Sequence, residues 1–267
     1  MRIVDFTKPR RESRMWHVTH REHFEYIPIS DPYNVPDGDY YLVPSSWWYK
    51  GKDKRAIECA NSFRGRVVMI DYGREMEQKR KNKGGIRADC IAMMDNYSPN
   101  SIQTIPFAMP SFDPSPRFKR QPQKNRVLVT MERPKGQIIT SLIDRLKDKH
   151  IIWKMRSKYL DRLDYYSDAL HGTQHKIVYS DDKDYNWSQP LVEQCAQFAE
   201  EHVNIEQLSY PNQEMVRYGV PTSIWDGKRF VGHKRIESTK KFYEGKPRDY
   251  CTQNLVRWLR ENLPDNR

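Results

Sequence analysis

Residues 204–221 read NIEQLSYPNQEMVRYGVP and hold two glutamates, Glu206 and Glu214, eight positions apart. The short apolar run VNI (203–205) before Glu206 reads as a strand, and NQEMVRYG (212–219) reads as a helix that Gly219 closes. That spacing predicts two carboxylates on one strand-to-helix turn. Glu206 falls at the end of the strand, and Glu214 opens the helix, whose first N–H groups have no intrahelical partner and suit a phosphate. A carboxylate there can accept hydrogen bonds from the paired hydroxyls of a sugar or a ribose. The simpler reading also stands, because an acid in the first turn of a helix is favoured by the helix dipole alone.

Other residues have the type but less of the context. Asp71 ends the run RVVMI (66–70), where it is either a reacting carboxylate or a plain helix cap. Arg133 and Lys135 precede the amphipathic segment 136–148, as phosphate ligands or as solvated charges. Trp47, Trp48 and Tyr49 run into Lys50, Lys52, Lys54 and Arg55. Such an aromatic-then-basic cluster suits base stacking with phosphate clamping, or a core edge followed by a charged helix. Lys79, Arg80 and Lys81 begin a charged run, KRKNK. No metal-ligand set is read: His171 and His175 flank a loop, Asp182 and Asp184 sit in SDDKD, and metal dependence stays open. The sequence has no GxxxxGK[ST] and no GxGxxG, which disfavours the usual kinases and dinucleotide oxidoreductases.

The chain of 267 residues is 37% hydrophobic, enough for one large domain or two smaller ones. Its formal charge is +11, shared almost equally between residues 1–120 and 121–267. A basic body of this kind favours anionic partners, and the even spread argues against a basic tail. Cys59, Cys90, Cys195 and Cys251 are scattered with no CxxC, so buried thiols are expected rather than a disulfide framework or a zinc site. The N-terminus, MRIVDFTKPRRESRMW, does not read as a signal peptide, and no apolar run approaches the roughly 18–20 residues of a membrane span. A cytoplasmic location follows as the expectation.

The elements alternate. Strands are predicted at 39–45, 66–72, 88–95 and 102–107, with a helix at 52–63 and a polar helix start after Asp71. The proline-rich stretch 110–125, PSFDPSPRFKRQPQKN, reads as a linker. Beyond it come strands at 125–131, 150–155, 175–180, 203–205 and 220–226. Helices are predicted at 136–148, 190–202, 212–219 and 249–262. Strand alternating with helix implies parallel sheets covered on both faces. The expected organisation is a lobe at 1–110, a linker at 111–125 and a lobe at 126–267, with a cleft between the lobes and the last helix crossing back.

Taken together these residues resemble a known family. Glu206-x7-Glu214 with Met215 and Gly219-Val220-Pro221 looks like the E-x7-E and EAMxxGxP signature of retaining nucleotide-sugar glycosyltransferases of the GT-B fold. ADCIAMMDNYSPNSIQTIPFAMP (88–110) is similar to the stretch that ends that family's N-terminal lobe. RVLVTMERPKGQIITSLIDRL (126–146) is similar to the one that opens its C-terminal lobe. The resemblance covers residues 65–225. It departs from the pattern where Gln207 and Glu132 stand in place of glycines, and where TKPRRESR replaces a glycine-rich loop.

The resemblance implies two Rossmann-type lobes and a nucleotide-diphosphate sugar as donor, UDP-sugars first, with the sugar passing to a hydroxyl with retention. It gives Glu206 the donor sugar, Glu214 the ribose, and Arg133 and Lys135 the diphosphate. Ser209, Tyr210, Asn212 and Gln213 belong to the loop that approaches the phosphates, and Asp71 faces the sugar. With the basic charge it also suggests a polyanionic acceptor, such as a hydroxymethylated base in double-stranded phage DNA within a host cytoplasm. The contacts to that DNA would be Arg10, Arg11, Arg14, Trp47, Trp48, Lys50, Lys52, Lys79, Arg80 and Lys81. A cell-surface glycan, a small-molecule acceptor, or a nucleic-acid-binding protein without catalysis are the alternatives.

Overall fold

The computed structural model describes residues 1–5, 25–28, 34–44, 58, 61–71, 88–93, 103–115, 117–131, 136–156, 174–180, 189–205 and 210–263. They fall into two compact units, Met1–Pro116 with Pro247–Arg267, and Arg117–Lys246. Among the described residues no helix is long and apolar enough to cross a membrane.

Unit 1 is built on a six-stranded sheet of β1 (Arg2–Asp5), β2 (Glu25–Pro28), β3 (Tyr40–Pro44), β4 (Arg66–Asp71), β5 (Cys90–Met93) and β6 (Thr104–Ile105). The order is β2-β1-β3-β4-β5-β6, and every pairing is parallel. Ile3, Val4, Leu42, Val43, Val67, Val68 and Ile91 are fully buried, as strands covered on both faces require. The segment Arg2–Asp5, with Ile3 and Val4 at its centre, is an inner strand, β1, which sequence periodicity alone does not separate from its charged surroundings. The last described helix of the chain (Tyr250–Asn262) belongs to this unit. It is tied there by the Tyr40 hydroxyl to Leu263 O (2.6 Å) and by the Asn254 amide to Pro106 O (2.8 Å).

Unit 2 carries the second sheet: β7 (Arg126–Thr130), β8 (His150–Arg156), β9 (Gln174–Ser180), β10 (Glu201–Ile205), β11 (Thr222–Trp225) and β12 (Phe230–Val231). Its order is β12-β11-β10-β7-β8-β9, parallel except for the closing β11–β12 hairpin. The chain runs outward from β7 to β9, then returns to the other side of β7 as β10. That reversal is the switch point of a Rossmann-type sheet.

Among the described residues four helices accompany this sheet, numbered here in chain order: α1 (Gly136–Arg145), α2 (Gln189–Phe198), α3 (Tyr210–Arg217) and α4 (Lys234–Tyr243). The helix Tyr250–Asn262 of unit 1 is then α5. Ile139, Leu142 and Ile143 of α1 pack with Val127, Val129, Val203, Ile205 and Trp225 on one face of the sheet. Cys195 and Ala196 of α2 and Met215 of α3 pack with Leu128 on the other. Val216, Ile224 and Ile236 join α3 and β11 to α4.

Much of the proline-rich stretch is built into the two units. Pro110–Phe112 form a 3-10 turn, and Phe112 and Asp113 are buried in unit 1. Phe118 lies in the α2–α3 core, edge-on to Tyr218 with ring centroids 4.8 Å apart. The Arg120 guanidinium donates to Ala199 O after α2 and to Gly219 O after α3, so one cation serves two helix C-terminal regions.

Candidate functional site

Three neighbouring strands of unit 2 end at one level. The register pairs Thr130 with Asn204, and Ile205 with Trp225, so β7, β10 and β11 release their chains side by side at the carboxyl edge. Adjacent strands are about 4.8 Å apart. Met131, Ile205 and Trp225 therefore stand side by side at this edge, the first two flanking the switch point. Ligands of open parallel sheets collect at such an edge because the loops there diverge.

Just below the edge, on the α3 side, lies a buried polar row. Register places Lys154, Thr130 and Asn204 on adjacent strands, and all three are at most 9% exposed. The Thr130 hydroxyl is hydrogen-bonded to Nε2 of His202 (2.8 Å), and the Asn204 amide donates to Oδ1 of Asn212 on α3 (2.8 Å). His202 is fully buried, its Nδ1 has no partner among the described residues, and burial pushes its pKa down to about 3. It is therefore a neutral imidazole at ordinary pH.

The strand before the glutamates is longer than VNI, because Glu201 and His202 also belong to β10. Helix α2 stops earlier, at Phe198. Helix α3 begins at Tyr210, so the Tyr-Pro-Asn segment is its first turn rather than a loop. Pro211 falls where a missing N–H costs nothing. Glu214 is thus its fifth residue and does not open it. Its side chain is fully enclosed, as is that of Asn212, and Gln213 is 2% exposed with Oε1 unpartnered. These are interior positions, not the solvated helix end of the simpler reading. The Asn212 side chain is engaged with Asn204, which fixes the first turn of α3 to β10.

The end of α3 explains Gly-Val-Pro. Val220 N donates to Met215 O and Gly219 N to Val216 O, both at 2.9 Å, with Gly219 at φ 77°. This pair of bonds is a Schellman stop, in which Val220 packs against Met215 in the same core. Pro221 follows, and its carbonyl accepts from His202 N (2.8 Å). Arg217 lies 4.4 Å over the Tyr243 ring, securing α3 to α4.

Several expected site residues lie outside the described residues. Glu206 and Ser209 fall there, directly after β10 and directly before α3, and so do Arg133 and Lys135, between β7 and α1. The structure brings their points of attachment together at the switch point. In unit 1, Asp71 is the last residue of β4, at the carboxyl edge. Arg10, Arg11 and Arg14 follow β1, while Trp47, Trp48, Lys50 and Lys52 follow β3. Those are the two strands that flank the switch point of the first sheet. These seven residues, and Lys79, Arg80 and Lys81 after β4, lie outside the described residues. Among the described residues no cluster of His, Cys, Asp or Glu could hold a metal ion.

The sequence reading missed the β11–β12 hairpin, although WDGKRF holds the Asp-Gly signal of a tight turn between apolar runs. Asp226 Oδ1 accepts from the N–H of Lys228 (2.8 Å) and of Arg229 (2.9 Å). The Arg229 and Lys228 backbone N–H groups hold the Asp226 carboxyl below its usual pKa.

No protein-family model matches the chain, and no curated protein matches it. Among solved structures it is similar to AviGT4, a glycosyltransferase involved in avilamycin A biosynthesis. The TM-score is 0.40 at 9% identity, over 88% of this chain and 75% of that one.

Proposed function

We propose that the protein is a retaining glycosyltransferase of the GT-B type, with the donor held by unit 2 and the acceptor by unit 1. The donor is a nucleotide-diphosphate sugar, UDP-glucose being the first candidate. One observation carries the reading: the E-x7-E segment spans the passage from β10 to α3 at the switch point, with Glu214 enclosed on α3. Carboxylates accept and do not donate, so two of them on this passage suit the paired hydroxyls of a sugar and a ribose.

In this reading Glu206 orients the donor sugar and Glu214 takes the ribose hydroxyls. The backbone of Ser209, Tyr210, Asn212 and Gln213 faces the diphosphate, and Arg133 and Lys135 hold the charge that builds on it as it leaves. The acceptor hydroxyl attacks the anomeric carbon on the face the diphosphate departs from. The sugar–phosphate C–O bond breaks, and the hydroxyl proton passes to a diphosphate oxygen. The family resemblance gives Asp71, the last residue of β4, a role toward the sugar. The basic charge favours a polyanionic acceptor, a hydroxymethylated base in phage DNA being the specific case, with Arg10, Arg11, Arg14, Trp47, Trp48, Lys50, Lys52, Lys79, Arg80 and Lys81 as its contacts. A duplex closes such a base into the helix, so the enzyme would take it out of the stack or reach it through the major groove.

The test is a hydrolysis and transfer screen across nucleotide sugars, with and without hydroxymethylated duplex DNA. Turnover of one donor, accelerated by an acceptor, is the expected result. A protein that binds nucleic acid yet neither binds nor turns over any nucleotide sugar is a binding module, and the proposal fails.

A further inference from the structure

The turn 226–229 shares the carboxyl edge of unit 2 with the segments after β7 and β10, and it is braced from three directions. Asp226 binds two of its N–H groups, and Asp226 N donates to Arg229 O (3.2 Å). Gly227, at φ 100°, fits against α1, where an added Cβ would meet Ile138 Cγ1 at 3.4 Å. Ser141 of α1 donates to Gly227 O (3.2 Å) and lies 3.4 Å from the Trp225 indole nitrogen. Behind the turn the Trp225 and Phe230 rings meet at 4.9 Å.

Asp226 and Gly227 build this turn, to which Lys228 gives its backbone and Arg229 its backbone and an ion pair with Asp226. Their side chains stand in solvent: that of Arg229 is 81% exposed, with an ion-pair distance of 3.8 Å to Asp226. Among the described residues Lys228 has no ion pair. The first turn of α1, against which the hairpin leans, carries no acid. The braced turn therefore presents two cations one strand spacing from the end of β10, and two from the end of β7.

We propose that Lys228 and Arg229 are a phosphate-binding post at the edge of unit 2, taking phosphate oxyanions of the substrate. The assignment rests on the donor-site reading above and adds two cations to it. Arginine offers a planar fork to paired phosphate oxygens and lysine a point charge, and on a fixed turn little of their freedom is lost in doing so. The same oxyanions belong to a donor diphosphate and to a nucleic-acid backbone.

The experiment compares the full chain with the Lys228→Gln/Arg229→Gln double variant, whose turn keeps Asp226 and Gly227. Affinity is measured for inorganic pyrophosphate, for UDP, and for a short duplex at two salt concentrations. A loss of about tenfold for pyrophosphate and UDP, with an unchanged melting temperature, is expected if the diphosphate is the ligand. A loss confined to the duplex, with a salt slope smaller by about 1 for each phosphate contact removed, assigns the post to a nucleic-acid backbone instead. Unchanged binding of all three, or a wild-type chain that binds none of them, overturns the inference. Weakened pyrophosphate binding in a protein that turns over no nucleotide sugar sinks the glycosyltransferase reading and leaves the post standing.

Discussion

Asp113 accepts hydrogen bonds from both the backbone N–H (2.8 Å) and the hydroxyl (2.7 Å) of Thr252, a residue 139 positions further along the chain. Its other oxygen accepts from Cys251 N (3.0 Å). Those two N–H groups are the second and third of α5, the donors a local cap would satisfy, and Asp249 makes no side-chain cap bond. A distant carboxylate thus caps the final helix and fastens it into unit 1.

Asp113→Ala leaves buried donors without partners and should cost about 3 kcal/mol, read as a lower urea midpoint at unchanged slope. Thr252→Val removes one of the three bonds and should cost about 1 kcal/mol. If the two variants lose the same stability, the carboxylate is not capping the helix.

His202 should make the protein acid-sensitive. Its folded-state pKa, about 3, lies below the ordinary value of 6.5. The unfolded chain therefore takes up a proton that the folded chain refuses. The stabilisation is complete above pH 6.5 and is lost as pH falls toward 3, by about 2 kcal/mol at pH 5. Urea unfolding from pH 7 to 5 measures it. In His202→Gln, which keeps a polar partner for Thr130, that part of the pH dependence should vanish. An unchanged acid limb would mean other groups set it.

Gly219→Ala should cost about 1–2 kcal/mol, because φ 77° places an alanine in the left-handed region. There is room for the methyl group, since its nearest neighbour, Arg120 Cδ, is 3.7 Å away. Backbone strain is then the whole effect, and chemical denaturation measures it directly. A neutral result would mean that the Schellman stop relaxes.

Several features of the fold were legible because their residues obey one dominant rule. Strands β3, β4, β7 and β8 are apolar runs buried on both faces, and they lie where alternation with helices placed them. Gly219 closes α3 as glycine chemistry requires. The misses have physical reasons too. β1 and β2 are four residues each, too short to stand out from a charged N-terminus. His202 was expected to end the helix 190–202 because a buried polar residue is recognised only with its partner, and Thr130 is 72 positions away in sequence. Asp113 and Arg120 sit among prolines that read as linker, yet their partners are 138 and 79 residues or more away. Gly-Val-Pro, which strengthened the resemblance, has a local account as a helix stop. The two glutamates must therefore carry the functional argument themselves.

Glu206 and Glu214 should separate when mutated, because the proposal gives them different roles, one on the reacting sugar and one on the ribose. Glu214 is enclosed on α3 between Asn212 and Met215, all three fully buried. Glu214→Ala should lose about 2 kcal/mol of stability as well as donor affinity, since it removes a fully buried polar side chain together with its interactions. Glu214→Gln keeps the shape and should raise the donor KM with a smaller loss of stability. Glu206 directly follows β10 at the switch point. Glu206→Ala should lower transfer by at least about 100-fold with an unchanged melting temperature, the pattern of a group that acts on the reacting sugar. Steady-state kinetics with the donor found in the screen, read beside thermal unfolding of each variant, distinguishes the two. A fully active Glu206→Ala would remove the carboxylate from the reaction, and with it the reason for reading this segment as a donor site.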